Sequence, residues 1–370
     1  MKNKGESFHA PLNRRGFLRR GAAGAAGLAA IPSMLSGCAA RSMGVSGLNS
    51  TPETVGKSRV AFVTGNDRRD MIIEALKPFR DKIKHDIQGK QVVVKINCVV
   101  DSNPLIATHP DAVRGILDFL EPLYGRQIVI GESTASVHGT RLTFEQYGFL
   151  PLEKEYNVRL VELNDEPTTW QWILDPDLYP TRIRVINTFL DPDNYIISVT
   201  RLKTHNCVVA TLTLKNVVMG SPLKIPAKKI NDKSRMHATS KGHHSPKLLN
   251  ANIFLMAHRV RPDFAVLDGF EGVEGNGPTR GEPVDHKVAL AGPDFLSVDR
   301  IGAELMGIPW ENIGYLQYCA TGGLGQGDRS KIGIIGPDPK DYVITYRLHE
   351  NIDWQMTWKD DLVIQGVERN

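Results

Sequence analysis

QVVVKINCVVDSNPLIATHPDAVRGILDFLEPLYGRQIVI, residues 91–130, reads as one strand–helix–strand passage. Gln91–Ile96 is a valine-rich run of the kind carried by a strand buried on both faces. At Thr108-His109-Pro110-Asp111 a capping hydroxyl, an early proline and a first-turn acid coincide, which predicts a helix start. Val113, Ile116, Leu117 and Leu120 then recur at the three-to-four spacing of a core-facing helix, and Gln127–Ile130 supplies the next strand.

The same alternation continues outward. Val60–Thr64 is the first strand, and residues 70–80 carry a helical stripe of Met71, Ile72, Ala75, Leu76 and Phe79. Strands are expected at Val158–Val161, Tyr195–Val199, 264–267 and 286–290, and helices near 211–219, 248–259 and 297–307. Alternating elements of this kind predict an α/β fold: a largely parallel sheet flanked by helices, in one domain or two closely joined lobes. In such sheets ligands sit at the carboxyl ends of the strands. The residues just past the predicted strands are Lys95, Asn97 and Cys98; Glu132, Ser133 and Thr134; Arg201, Lys203 and His205; and Asp268.

The amino end carries a different signal. Asn13-Arg14-Arg15-Gly16-Phe17-Leu18-Arg19 has the paired arginines and following apolar pair of a twin-arginine leader, and a weakly hydrophobic Ala/Gly stretch succeeds it. Leu35-Ser36-Gly37-Cys38 is similar to a bacterial lipobox, which makes Cys38 the candidate lipidation site; cleavage after Ala40 is the alternative. The expected organisation is a leader over 1–38, a Ser/Gly/Thr-rich tether over 39–57, an α/β domain over 58–345 and a carboxyl-terminal extension over 346–370. The expected location is the periplasm or envelope, with the Tat translocase as partner during export. No apolar run reaches the roughly 18–20 residues needed to span a bilayer.

Charge must be read without the leader. The whole chain is formally +4, but residues 1–38 hold six Lys/Arg against one acid, so the remainder sits near −1. That balance gives no reason to expect nucleic acid as a partner. Beyond Cys38, Cys98, Cys207 and Cys319 are widely spaced. They could not hold an iron–sulfur cluster of their own, and one disulfide would leave a thiol over.

The positive charge that remains is concentrated. Residues 201–247 contain ten Lys/Arg and a single acid, Asp232, together with His205, His237, His243 and His244. Either a solvated basic loop or a pocket for a small anionic ligand, a carboxylate or phosphate, accounts for this imbalance. Lys203 and His205 follow a predicted strand, and Lys215-Asn216 lies within the apolar segment 208–219. A lysine desolvated there can act as base, nucleophile or covalent anchor, or snorkel to water. The candidate catalytic residues are therefore Lys203, His205, Lys215 and His237. Lys95, Asn97, Asn216, Glu132, Asp268 and Glu274 are candidates for substrate binding, and His109, His205 and His237 for a metal ion. Asp268–Gly281 holds five glycines and reads as a ligand-lining loop, but no dinucleotide or P-loop fingerprint occurs.

Taken in order, Lys95-Ile96-Asn97, Thr108-His109-Pro110, Lys203-Thr204-His205 with Thr211, Lys215-Asn216 and Gly220, His237, Asp268-Gly269 with Glu274-Gly275-Asn276-Gly277-Pro278, and Ser297-Val298-Asp299 resemble the domain of unknown function 362 family over about residues 58–310. Some members carry an appended ferredoxin-like module, so the resemblance implies an iron–sulfur redox partner. A fainter likeness is to the nickel-pincer lactate racemases, in which a histidine and a lysine ten residues later help hold a covalently attached nickel cofactor. His205 and Lys215 have that spacing and His237 follows, but Leu212-Thr213-Leu214 replaces that family's Gly-Gly-Arg. The resulting expectation is an envelope enzyme, oxidoreductase or isomerase, acting on a small anion. A non-catalytic anion-binding lipoprotein and an accessory protein docking on a redox partner are the alternatives.

Overall fold

Thirteen strands are present among the described residues of a computed structural model, which cover 56–360 apart from 102 and 238–244. The predicted leader, Cys38, nearly all of the tether, His243 and His244 lie outside the described residues. In chain order the strands are β1 (Ser58–Thr64), β2 (Gln91–Lys95), β3 (Ile128–Glu132), β4 (Val158–Glu162), β5 (Thr168–Leu174), β6 (Pro180–Ile186) and β7 (Asn194–Thr204). They continue with β8 (Ala210–Thr211), β9 (Lys224–Ile225), β10 (Ile230–Asn231), β11 (Phe264–Asn276), β12 (Arg280–Gly292) and β13 (Ile332–Ile335). Nine of them form the main sheet, in the order β13-β1-β12-β11-β7-β2-β3-β4, with β8 added to β7. From β4 to β11 every neighbour pair is parallel; β12 alone along this path runs against both of its neighbours.

The valines of the opening stretch explain why β2 is central. Val92, Val93 and Val94 are each at most 1% exposed. Val93 joins the core on one face, whereas Val92 and Val94 join the core on the other. Both faces are covered by helices, so the strand needs no polar alternation. On the face of Val92 lie α1 (Arg68–Leu76) and α2 (Pro110–Leu120). On the face of Val93 lie α3 (Thr213–Gly220), α5 (Pro246–Ala257) and α6 (Phe295–Leu305), with the one-turn helix α4 (Asp232–Met236) beside them.

Chain order and sheet order together locate a crevice. After β2 the chain crosses through α2 to β3; after β7 it crosses through α3 to β11. Adjacent strands β2 and β7 thus send their crossovers to opposite faces. The carboxyl ends of two such strands flank the topological switch point where open α/β sheets bind ligands. Lys95 ends β2, and Ser198 pairs with it on β7.

Several local expectations are corrected. The cap of α2 is His109, whose Nδ1 accepts from Asp111 N at 3.1 Å. Thr108 instead ties the turn after β2 to β7, accepting from Asn97 N and donating to Val199 O, both at 2.8 Å. β7 continues through Arg201–Thr204 rather than ending at Val199. The glycine-rich segment expected to be a loop is the long antiparallel hairpin β11–β12. Its glycines make room for packing: a Cβ on Gly272 would lie 1.8 Å from Tyr346 Oη. The β5–β6 hairpin, with exposed Trp170 and Trp172, carries no expectation from the sequence.

The described residues all belong to one compact unit. Tyr346 is buried in its core, and Gln355 accepts from Val209 N at 2.6 Å, so the start of the segment set apart as an extension packs into the fold. None of the described helices is long and apolar enough to cross a membrane.

Candidate functional site

A cavity of about 310 Å³ opens at the switch point. Its floor is a polar network built from the carboxyl ends of β2 and β3, Ser198 within β7 and one helix. Lys95 Nζ donates to Glu132 Oε1 at 2.8 Å, to Asn216 Oδ1 at 3.2 Å and to Ile96 O. Asn216, on α3, accepts also from Asn97 Nδ2 at 3.0 Å. Its own amide donates to Lys95 O and Ser198 Oγ, each at 3.1 Å. Glu132 accepts from Cys98 N and Ser133 N. Every one of these side chains is buried and hydrogen-bonded, the condition under which a charged pair is stable away from water.

Close approach makes this floor possible. The Lys95 stem passes over Gly220, where an added Cβ would sit 2.4 Å from Lys95 Cε. The amino end of α3 has no cap of its own, and Asp299 of α6 supplies it. That carboxylate accepts from Thr213 N at 2.8 Å and Leu214 N at 3.0 Å, anchoring the helix that carries Lys215 and Asn216.

The remaining lining comes from the basic segment. Lys233 Nζ donates to Ser133 Oγ, Met219 O and Gly220 O at 2.9–3.1 Å, and Lys224 donates to Ala135 O. Lys215 differs: it is 7% exposed, lines the cavity and has no hydrogen-bond or carboxylate partner among the described residues. Burial pushes Lys215 down to about 8 and Lys233 down to about 7, because an ammonium loses its hydration there. Asp232 does not offset these charges, since it is bound by Arg184 at 2.7 Å and Arg235 at 3.4 Å.

His205 follows β7 in a tight turn. Its backbone N donates to Val209 O at 2.8 Å, and Val209 is held at φ 67°, a left-handed conformation rare for a β-branched residue. His205 Nδ1 accepts from Cys207 N at 3.0 Å. The ring therefore keeps its proton on Nε2 and is a donor. Burial, then the charges of Lys215 and His237, holds the imidazole well below its ordinary range, hence neutral. Burial likewise pushes the Cys207 thiol up to about 12 and Cys98 well above the usual value, so neither is an activated nucleophile.

Of the residues expected at a site, Lys95, Asn97, Glu132, His205, Lys215, Asn216 and His237 line this one cavity. Four others lie outside its lining. Lys203 is beneath Asn97, donating to its Oδ1 and to Ile106 O, and burial pushes it down to about 7. His109 is the cap of α2. Asp268 pairs with Arg68 at 3.2 Å, and Glu274 accepts from Arg347 N at 2.8 Å. His109, His205 and His237 therefore do not form a common ligand set. Among the described residues no group of three or more His, Cys, Asp or Glu side chains is arranged to hold a metal ion. Nor does the nickel-pincer likeness fit: the lone pair of His205 Nδ1 is taken by Cys207 N and Nε2 carries hydrogen, leaving no nitrogen to ligate. Lys224 and Lys233 line the cavity without having been singled out as site candidates, and Ser133 and Thr211, named only by their place after a strand or in a motif, join them; Asn231, which caps α4 through Ser234 N at 3.1 Å, was the signal that could have placed Lys233 on a helix.

The family model described as Domain of unknown function (DUF362) matches residues 92–304, which contain the switch point, all of α3 and the capping Asp299. The chain belongs to the DUF362 family. A thylakoid-associated protein of Synechocystis sp. is 25% identical over 220 residues, covering 59% of this chain and 63% of that protein. All of the cavity-lining residues, from Lys95 to Pro278, fall within the matched region.

Proposed function

We propose that this DUF362 protein is an exported envelope enzyme acting on a small carboxylate or phosphate bound in the switch-point cavity. One observation carries the reading: Lys95, Lys215, Lys224 and Lys233 share a lining that contains, among the described residues, a single carboxylate, Glu132, itself paired with Lys95. A buried surplus of positive charge is stable when an anion neutralises it, and Lys215 has unspent donors to meet one. Lys215 then serves as base or nucleophile, and His205 Nε2–H and the hydroxyl of Thr211 stabilise developing negative charge on the substrate. Asn97, Asn216 and Glu132 hold Lys95 and Lys203 in place, and His237 completes the rim. The leader motif at Asn13–Arg19 supports export.

The test is titration calorimetry of the purified protein with inorganic phosphate and with small mono- and dicarboxylates, followed by product analysis for each ligand that binds. Binding with turnover supports the enzyme. Binding without turnover supports the anion-binding lipoprotein, a reading favoured by the full hydrogen bonding of the cavity floor. Absence of any anion binding removes both. Replacing Arg14 and Arg15 by lysine is expected to retain the protein in the cytoplasmic fraction; unchanged fractionation would remove the export claim.

A further inference from the structure

We infer that Lys215 forms an imine with an anionic aldehyde or ketone, making the substrate an oxo acid or a phosphorylated carbonyl compound. This rests on the cavity being the anion site proposed above, and it deepens that reading by naming the reacting group. The case is made by hydrogen-bond accounting across lysines of one cavity. Lys95 and Lys233 each direct three N–H bonds to protein acceptors, which uses the whole capacity of an ammonium, and Lys224 is engaged by the Ala135 carbonyl. Lys215 is buried to the same degree as Lys233 and has no such partner among the described residues.

An amine needs its lone pair to add to a carbonyl, and an environment without acceptors or carboxylates favours the neutral amine over the ammonium. Desolvation lowers Lys215 toward neutrality, to about 8, so a useful fraction of free amine exists at physiological pH. The cavity also offers the donors that a carbonyl oxygen requires. His205 presents Nε2–H, and Thr211 Oγ1 is buried with no partner among the described residues. The positive charge of the other lysines attracts the anionic group through space, and their hydrogen bonds to the fold keep them from competing for the carbonyl carbon.

The chemistry balances without an added oxidant or reductant. The Nζ lone pair forms the C–N bond as the C=O π pair moves to oxygen, which takes a proton to become a carbinolamine hydroxyl. Loss of that hydroxyl as water, with the remaining N–H proton, leaves C=N. Hydrolysis reverses each step.

Purified full-length protein is incubated with pyruvate or with glycolaldehyde phosphate, reduced with sodium borohydride, digested and mapped by mass spectrometry; calorimetry with the same two compounds runs in parallel. A reduced adduct at Lys215, on the order of tenfold or more above any exposed lysine, is expected from the larger fraction of free amine. Adduct with pyruvate alone assigns an oxo acid, and with the phosphate alone a phosphorylated carbonyl. If both compounds bind but Lys215 is unmodified, or is modified no faster than exposed lysines, the imine is wrong while the anion site stands. If neither binds, the anion site itself fails for these classes and the imine with it. The mapping is made on the wild-type chain, so it holds whether or not a Lys215→Met variant folds.

Discussion

Lys95 and Lys215 line the same cavity and are the same residue type, yet their surroundings are opposite. Lys95 lies in a closed network with Glu132, Asn216 and Ile96 O, every N–H directed at an acceptor. Lys215, one residue before Asn216, faces the cavity with none among the described residues. The difference teaches that burial alone does not mark a functional lysine. What separates a structural cation from a reactive one is whether the fold has already used its donors.

The largest expected effect is on the closed network. Glu132→Ala leaves Lys95 buried without its counter-charge and is expected to cost about 3–5 kcal/mol of stability, measured by urea denaturation. A loss below about 1 kcal/mol would show that Lys95 and Glu132 do not depend on each other, and the comparison would collapse. Next is Gly220→Ala, which drives a methyl into the Lys95 stem; a loss of about 1–3 kcal/mol is expected, and none if the stem passes elsewhere.

A smaller effect is expected in the pH dependence. The folded-state value for Lys215, about 8, lies below that of the unfolded chain, roughly 10.4. Between those values the unfolded state holds the extra proton, so this lysine contributes stability that rises with pH through the window, at most on the order of 1 kcal/mol per pH unit. Denaturation midpoints from pH 8 to 10 should show that rise in the wild type relative to Lys215→Met; identical slopes would mean that Lys215 is not desolvated. Anion affinity should fall over the same rise in pH as the ammonium is lost.

The smallest effect on stability, and the sharpest on function, is that of Lys215→Met itself. With no partners to orphan, the variant is expected within about 1 kcal/mol of wild type while anion affinity falls tenfold or more. A collapse in stability instead would put Lys215 in the same class as Lys95.

Much of this was legible from residues. Val92–Val94 identified a strand with two dry faces, and the helix after Pro110 followed from its apolar spacing. Lys95, Asn97, Glu132, His205 and Lys215 followed from their places near strand ends or inside an apolar segment, and the fold brings them to one cavity. What the sequence left hidden has physical causes. Thr108 was read as a cap because hydroxyls favour that position, but the neighbouring His109 nitrogen takes the role and frees Thr108 to tie the turn after β2 to β7. The glycines of β11 and β12 suggested a loop because their cause, the Tyr346 ring and other distant atoms, is invisible in local sequence. Lys203 and Lys233 exchanged expected importance for the same reason: a strand terminus points one beneath Asn97, and a one-turn helix turns the other toward Ser133.

The reversed strand β12 has a consequence for how the chain is made. It returns the sheet to β1, whose far edge is covered only when β13 arrives, with Ser58 aligned to Ile332. During synthesis β1 therefore waits until residues 332–335 have emerged before its second neighbour exists. An unpaired strand of this length is a template for pairing with other chains, so nascent chains arrested before residue 332 should be the form of this protein that most needs a chaperone.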